Sequence, residues 1–290
     1  MITVAVYGSR RQQPEALVRI DALLRELSVK GCRLIIHSKI YGSLTAGGYS
    51  PSEWNIYKVT DSEGFSADLV VSIGGDGTFL RTARWVGEKE IPIVGVNSGH
   101  LGYLTAFDIT ESKELTDMLF GGTFHVENRT VAEVSGDALP PHVCRYALNE
   151  IAVMKHDTSS MITIDASIDG CHLAQYKADG LLVATPTGST GYSLSAGGPI
   201  MQPSAPNMVI SPVAAHSLTM RPLVIRDDSR LTLRVTGRSE SCLVSVDGNP
   251  FAVPMGSVLT INKAPYEVRV DMRTDHSFAK TLREKLLWGA

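Results

Sequence analysis

The sequence predicts an α/β protein in two parts: an N-terminal doubly wound parallel-sheet domain over residues 1–130 and a C-terminal, mainly antiparallel β domain over 131–276. Three observations carry this. In the first part, short β-branched runs alternate with segments of helical period, as in a parallel sheet joined by crossover helices. In the second part the hydrophobic period falls to two and glycine turns recur, as in an antiparallel sheet with one solvated face. The tail 277–290 then returns to helical spacing, which predicts that it packs back on the first domain.

The elements follow in order. "ITVAVYG" (2–8) is a strand closed by glycine, and Ala16, Leu17, Ile20, Leu23, Leu24 and Leu27 mark one face of a helix that starts at Pro14. "RLIIHS" (33–38) is a second buried strand, and "YGSLTAGGYS" (41–50) has the glycines and serines of a surface loop. "DLVVSIGG" (68–75) is a strand, Thr78 to Val86 the helix after it, and "IPIVGVN" (91–97) the next strand. Past residue 130, "ITIDASIDG" sets Ile162, Ile164, Ala166 and Ile168 on one side and turns at Asp169-Gly170. "RLTLRVTG", "CLVSVDGNPF" and "YEVRVDM" continue the alternation. From Ser277 to Trp288, Phe278, Leu282 and Leu286 recur four apart, with Gly289 as a stop.

Composition narrows the class. An apolar content of 43% with 20% charged residues suits a soluble globular chain, and a net charge of −3 argues against a broad nucleic-acid surface. No apolar run approaches the roughly eighteen residues of a membrane span. The first residues enter a strand at once, without a signal peptide's basic start, so the expected setting is cytoplasmic. Cys32, Cys144, Cys171 and Cys242 are scattered with no C-x-x-C pair, which predicts reduced thiols and no protein-bound zinc or other metal centre.

The chemistry begins at "LVVSIGGDGTFLR" (69–81). Ligands of open α/β sheets bind beyond the carboxyl ends of the strands, where Gly74-Gly75-Asp76-Gly77-Thr78 falls. Gly74, Gly75, Gly77 and Thr78 suit a phosphate cradle of turn and helix-start amides, and Arg81 can neutralise phosphate charge. A carboxylate repels phosphate, so Asp76 either accepts the proton of an attacking hydroxyl, holds a divalent cation, or merely caps the helix. Neither a G-x-G-x-x-G fingerprint nor a G-K-[ST] loop is present.

Two further constellations stand out. After the strand Leu181–Ala184, Thr187 to Ser195 is dense in hydroxyls, including Ser189, Thr190, Ser193 and Ser195, and suits a ligand rich in phosphate or ribose oxygens. Lys177 and Asp179 precede it and can meet polar parts of the same ligand. In "ALNEIAV" (147–153), Asn149-Glu150 breaks an apolar strand; a carboxylate there suits a ribose diol. His100 and His216 lie near turns and are weaker ligand candidates.

Together and in this order, these motifs resemble the NAD kinase family: the glycine–aspartate turn 74–78, "GVNSGHLGYLT" (95–105), Asn149-Glu150, "DGLLVATPTGST" (179–190), "AGGPI" (196–200), "HSLTMRPLVI" (216–225) and the terminal "LREKLLW". The glycine–aspartate turn alone is similar to one in lipid kinases and phosphofructokinases; the hydroxyl motif with Asn149-Glu150 is the specific part. The resemblance implies a Rossmann-like first domain and ATP-dependent phosphorylation of the adenosine-ribose 2′-hydroxyl of NAD, giving NADP and ADP. Polyphosphate is a further candidate donor, and Mg²⁺ the divalent cation carried with ATP. It implies that NAD lies between the domains and that the chain forms a homodimer or homotetramer. It makes Asp76 the catalytic base, sets Asp76 and Gly77 beside the ribose, and assigns Asn149 and Glu150 to the NAD ribose region. Asp179 goes to the nicotinamide end, and Thr190, Gly191, Tyr192, Ser193, Leu194 and Ser195 line the adenine and ribose pocket. Lys177, Arg81, Ala214 and Asn249 are additions. Gly191 stands where the family commonly has alanine, and "VAAHSL" lacks the usual proline before the histidine. The rival readings are a kinase of a lipid hydroxyl and a non-catalytic NAD sensor.

Overall fold

The computed structural model describes residues 1–99, 102–157, 160–274 and 277–289. The chain divides into two compact units, Met1–Asn128 with Val268–Ala290, and Arg129–Glu267. The chain passes from the second unit back to the first inside the long strand Val258–Met272, whose buried positions change phase between Ile261 and Ala264.

The first unit is built on a parallel sheet. Strands β1 (Thr3–Gly8), β2 (Arg33–Ile36), β3 (Ile56–Val59), β4 (Leu69–Ile73) and β5 (Ile93–Asn97) alternate with helices α1 (Pro14–Val29), α2 (Ser38–Ala46) and α3 (Asp76–Val86). In space the order is β5-β4-β1-β2-β3, with the end of Val258–Met272 added beside β5, all in parallel register. A short strand, β6 (Phe107–Asp108), also runs parallel to β5, and α4 (Ser112–Gly121) follows it. Strands β1, β4 and β5 are buried along their length because helices cover the sheet, whereas the edge strand β3 is largely exposed; Val4, Val6, Leu34, Ile36, Val71, Ile73 and Val94 join Ile20, Leu23, Leu24 and Leu27 of α1 in one core.

One expectation is overturned here. Residues 41–46, read as loop, belong to α2. The His37 ring caps the helix, its Nδ1 accepting from the Lys39 N–H at 3.2 Å, and Ile40 and Leu44, one turn apart, are fully buried. Burial of that stripe outweighs the weak helix propensity of Gly42, Ser43 and Thr45.

The second unit is antiparallel. Its strands are β7 (His125–Ser135, which enters from the first unit), β8 (Tyr146–Ala147), β9 (Glu150–Lys155), β10 (Ile162–Ile168), β11 (Cys171–Ala178), β12 (Gly180–Ala184), β13 (Asn207–Val213), β14 (Leu223–Arg226), β15 (Leu231–Thr236), β16 (Ser241–Val246), β17 (Asn249–Pro254) and the start of β18 (Val258–Met272). One layer runs β11-β10-β15-β18 and the other β14-β13-β12-β9-β16-β17. Inward residues of both, among them Ile151, Val153, Ile164, Leu181, Val183, Leu233 and Val244, form the core. Both Asp-Gly hairpins turn with positive φ at each residue: Asp169 and Gly170 at 51° and 81°, Asp247 and Gly248 at 47° and 76°. Among the described residues a 3-10 turn (Thr187–Thr190) and the one-turn helix α5 (Tyr192–Ser195) interrupt this unit, and α6 (Phe278–Leu286) belongs to the first.

Candidate functional site

In the first unit, the turn at the end of β4 puts Asp76 at the first position of α3. The expected four-residue phosphate cradle narrows here: the Gly74 amide donates to Val96 O at 2.9 Å and the Thr78 amide to Gly75 O at 2.8 Å, which leaves the Gly75 and Gly77 amides of this helix start for phosphate oxygens. Gly74 has φ 151°, and a Cβ there would fall 2.5 Å from the Thr78 hydroxyl, so no larger residue keeps this turn. Gly77 is exposed; Arg81 is exposed as well and folds back, its guanidinium donating to Thr78 Oγ1 at 3.1 Å.

Asp76 is more than a helix cap. Its carboxylate accepts the amide N–H of Tyr103 on Oδ2 and that of Leu104 on Oδ1, each at 2.8 Å. The loop comes this close only because Gly102 has no side chain: a Cβ there would lie 2.6 Å from Asp76 Oδ1. Each carboxylate oxygen has a further lone pair, so two amide bonds orient the group without saturating it. His100 lies outside the described residues.

In the second unit, the strand expected across 147–153 is broken between β8 and β9, and Asp247 holds the break. From the corner of the β16–β17 hairpin its carboxylate accepts amides of Leu148 at 2.8 Å, Asn149 at 2.8 Å and Glu150 at 3.1 Å. Asn249 braces the same corner, its Nδ2 donating to the carbonyls of Val246 and Asp247, both at 3.1 Å. The Asn149 carbonyl accepts the Thr185 amide at 2.9 Å, and Gly188 presses on it so closely that a Cβ would lie 2.0 Å from that oxygen.

This scaffold leaves three buried polar atoms open. Asn149 Oδ1, Glu150 Oε2 and Thr187 Oγ1 have no hydrogen-bond partner among the described residues. A Cβ on Gly191 would stand 3.2 Å from Glu150 Oε2 and 3.5 Å from Asn149 Nδ2, so Gly191 borders the opening. Burial, and then the negative charge of Asp247, push the Glu150 carboxyl up to about 7. Burial also lifts Asp247 to about 6, against the lowering effect of its three amide bonds. With one oxygen buried and unpaired and its pKa raised, the half-buried Glu150 could accept the hydrogen bonds of a hydroxyl-rich ligand.

The hydroxyl-rich run divides. Thr187–Thr190 makes a 3-10 turn and Tyr192–Ser195 the one-turn α5. Ser193, placed in the pocket lining by its motif, is fully buried and bonds Ser211 at 3.0 Å, so its hydroxyl braces the loop from inside. Ser189 does likewise, donating to Pro186 O and accepting from the Met201 amide. Thr190 donates to Thr187 O at 3.2 Å; Tyr192 and Ser195 are exposed, and Leu194 is half-buried.

Lys177, Asp179 and Ala214 are gathered by backbone bonds. The Asp179 amide donates to Val213 O at 3.0 Å, and the His216 amide to Lys177 O at 2.8 Å. Asp179 pairs with Lys155 at 2.7 Å, and Lys177 is exposed. Ala214 has φ 49°, a left-handed conformation costly for a residue with a Cβ and concentrated at ligand sites. Sequence reasoning missed Asp247 as an organising group, because Asp-Gly is sufficiently explained as a hairpin turn. It also missed the 103–104 amides, which carry no side-chain signal.

With this geometry in place, comparisons with known proteins agree across the chain. Residues 9–124 match the model of the ATP-NAD kinase N-terminal domain and residues 148–271 that of the ATP-NAD kinase C-terminal domain. An NAD kinase of Porphyromonas gingivalis is 43% identical over 100% of this chain and 99% of its own. One from Bacteroides fragilis is 49% identical over 79% of each chain. Among solved structures, yeast NADH kinase complexed with NADH superposes with a TM-score of 0.88 at 25% identity, covering 100% of this chain and 89% of that one. An NAD kinase from Archaeoglobus fulgidus in complex with ATP gives 0.73 at 25% identity, covering 97% and 99%.

Proposed function

The chain belongs to the ATP-NAD kinase family, and from that premise we propose how its own residues carry the reaction. It is an enzyme that phosphorylates NAD, using ATP, on the 2′-hydroxyl of the adenosine ribose to give NADP and ADP. A sugar hydroxyl is a weak nucleophile near neutral pH. Asp76 takes its proton as the bond from the 2′-oxygen to the γ-phosphorus forms and the bond from that phosphorus to the ADP oxygen breaks. The observation that supports this role is the pair of 2.8 Å amide bonds that fix the carboxylate at the mouth of a glycine turn. Gly75 and Gly77 offer their amides to phosphate oxygens, those of Gly74 and Thr78 being taken by the Val96 and Gly75 carbonyls at 2.9 and 2.8 Å, and Arg81 leaves Thr78 to meet phosphate charge.

NAD is held by the second unit, with Asn149 and Glu150 on the ribose and Thr187 beside them. The three unpaired buried atoms support this assignment. Gly191, Tyr192, Leu194, Ser195, Thr190 and Asn249 border the same ligand, Ser193 from behind. Asp179, Lys177 and Ala214 attend its nicotinamide end. No three His, Cys, Asp or Glu side chains converge among the described residues. A Mg²⁺ ion carried with the ATP phosphates would supply charge neutralisation during transfer. The four free thiols suit a cytoplasmic setting. A homodimer or homotetramer through the second unit would cover the exposed Leu218, Leu223 and Val224 near its edge strand.

The test is NADP formation from NAD, ATP and Mg²⁺, followed with a glucose-6-phosphate dehydrogenase couple. Asp76→Asn is expected to lower kcat about 10²-fold or more, the scale of general-base effects. Near-normal turnover in that variant would remove the base role, and tight NAD binding without product would favour a sensor.

A further inference from the structure

The last helix carries a charged side chain into the loop that holds Asp76. Ser277 caps α6, its Oγ accepting the Lys280 amide at 3.2 Å, and Phe278, Leu282 and Leu286 are half-buried along one stripe. From the same helix, Lys285 donates its Nζ to the carbonyl of Thr105 at 2.8 Å and to that of Tyr103 at 3.4 Å. Both acceptors are main-chain oxygens, and among the described residues this ammonium makes no ion pair.

The peptide between Tyr103 and Leu104 is the connection. Its carbonyl faces Lys285, and its N–H donates to Asp76 Oδ1 at 2.8 Å. A peptide unit is planar, so orienting one end orients the other. An ammonium on the carbonyl also polarises the N–H, strengthening the bond it gives. The 2.8 Å bond to Thr105 fixes the far side of the same loop. Burial lowers the Lys285 pKa while the charges of Asp76 and then Glu284 oppose that, which places the ammonium within the field of the carboxylate.

We propose that Lys285 is a positioning residue for phosphoryl transfer: by pinning the carbonyls of Tyr103 and Thr105, it holds the 103–104 amides where they aim the Asp76 carboxylate at the acceptor hydroxyl. The proposal rests on the reading of Asp76 as the base. It gives the terminal "LREKLLW" motif a function beyond closing the fold.

The experiment is a four-variant kinetic comparison: wild type, Lys285→Met, Asp76→Asn and the double variant, with Lys285→Arg as the conservative rescue. Misplacing a reacting group by about an ångström can cost up to 10²-fold. Lys285→Met is therefore expected to lower kcat about 10- to 100-fold, with KM for NAD and ATP within about twofold, and Lys285→Arg to restore most of the rate. On the Asp76→Asn background the same change should cost less than about twofold, because a residue acting through Asp76 has little left to position. Should Lys285→Met melt below the assay temperature, Lys285→Gln, which keeps a donor without the charge, is read by the same criteria. Equal losses in both backgrounds, a wild-type kcat in Lys285→Met, or a loss confined to KM would overturn the proposal. If Asp76→Asn retains turnover, the base reading itself fails; if it is inactive while Lys285→Met is normal, only the positioning role fails.

Discussion

Asp76 and Glu150 are both carboxylates at breaks in strand-rich backbone, and the two units treat them in opposite ways. Asp76 receives an amide on each oxygen from a loop that glycine brings close. Glu150 keeps one oxygen buried and unpaired, beside a second acid that raises its proton affinity. A group that must move a proton gains from being aimed before substrate arrives. A group that must grip a diol gains from an incomplete shell that only the ligand completes, even though the empty shell lowers the stability of the free protein.

That contrast can be broken by experiment, and Asp76→Asn, at about 10²-fold or more in kcat, is the largest effect expected. Next comes Gly188→Ala. Its Cβ would stand 2.0 Å from the Asn149 carbonyl oxygen, so the backbone that presents Asn149 and Glu150 has to move. The expected cost is about 3 kcal/mol or more of stability, at the top of the overpacking range, with NAD binding lost by calorimetry. An unchanged melting temperature would mean that the segment is not clamped as described.

Asp247→Asn is expected to be milder. Asparagine tolerates the left-handed turn, yet its amide nitrogen cannot accept as the lost oxygen did, leaving an N–H of the 148–150 segment short of a partner. A loss of about 1–3 kcal/mol in thermal stability should accompany weaker NAD binding. If stability falls while the NAD dissociation constant stays put, Asp247 serves the hairpin and not the site.

A last effect, of similar size at pH 8 and nearly absent at pH 4.5, sharpens the contrast by its pH dependence. Glu150 has a raised native pKa of about 7, so the folded protein binds the extra proton between the ordinary carboxylate range and neutrality. Stability from this group is present at acid pH and lost as pH rises through that window, and Asp247, lifted to about 6, acts in the same direction. Glu150→Gln should therefore stabilise the free protein by about 1–3 kcal/mol at pH 8 and hardly at all at pH 4.5, while weakening NAD binding. Melting curves at the two pH values decide it; a pH-independent difference would remove the lifted carboxyl from the account.

The same pair of sites shows what could be read without coordinates. The parallel and antiparallel halves were legible because burial on two faces and on one face leave different periods in the chain. Helix α2 was not, since Gly42, Ser43 and the following glycines read as loop and only tertiary burial of Ile40 and Leu44 decides otherwise. The positions of Asp76, Asn149 and Glu150 were legible as polar intrusions at strand ends. Which hydroxyls of 187–195 face a ligand was not: Ser189 and Ser193 turn inward through bonds to Pro186, Met201 and Ser211 that no local pattern encodes. Asp247 and Lys285 escaped for a related reason, since each acts on a distant backbone segment and a main-chain amide has no residue type to betray it.

The first unit is assembled from segments that leave the ribosome far apart in time. Lys285 and the Thr105 carbonyl it holds are 180 residues apart, which at a synthesis rate of roughly 5–20 residues per second is a delay on the order of ten to several tens of seconds. During that interval the glycine turn and its carboxylate already exist, and the whole of Arg129–Glu267 is made, but the loop over Asp76 lacks its last restraint. On the role proposed for Lys285, the loop beside Asp76 gains this restraint only once α6 has been made.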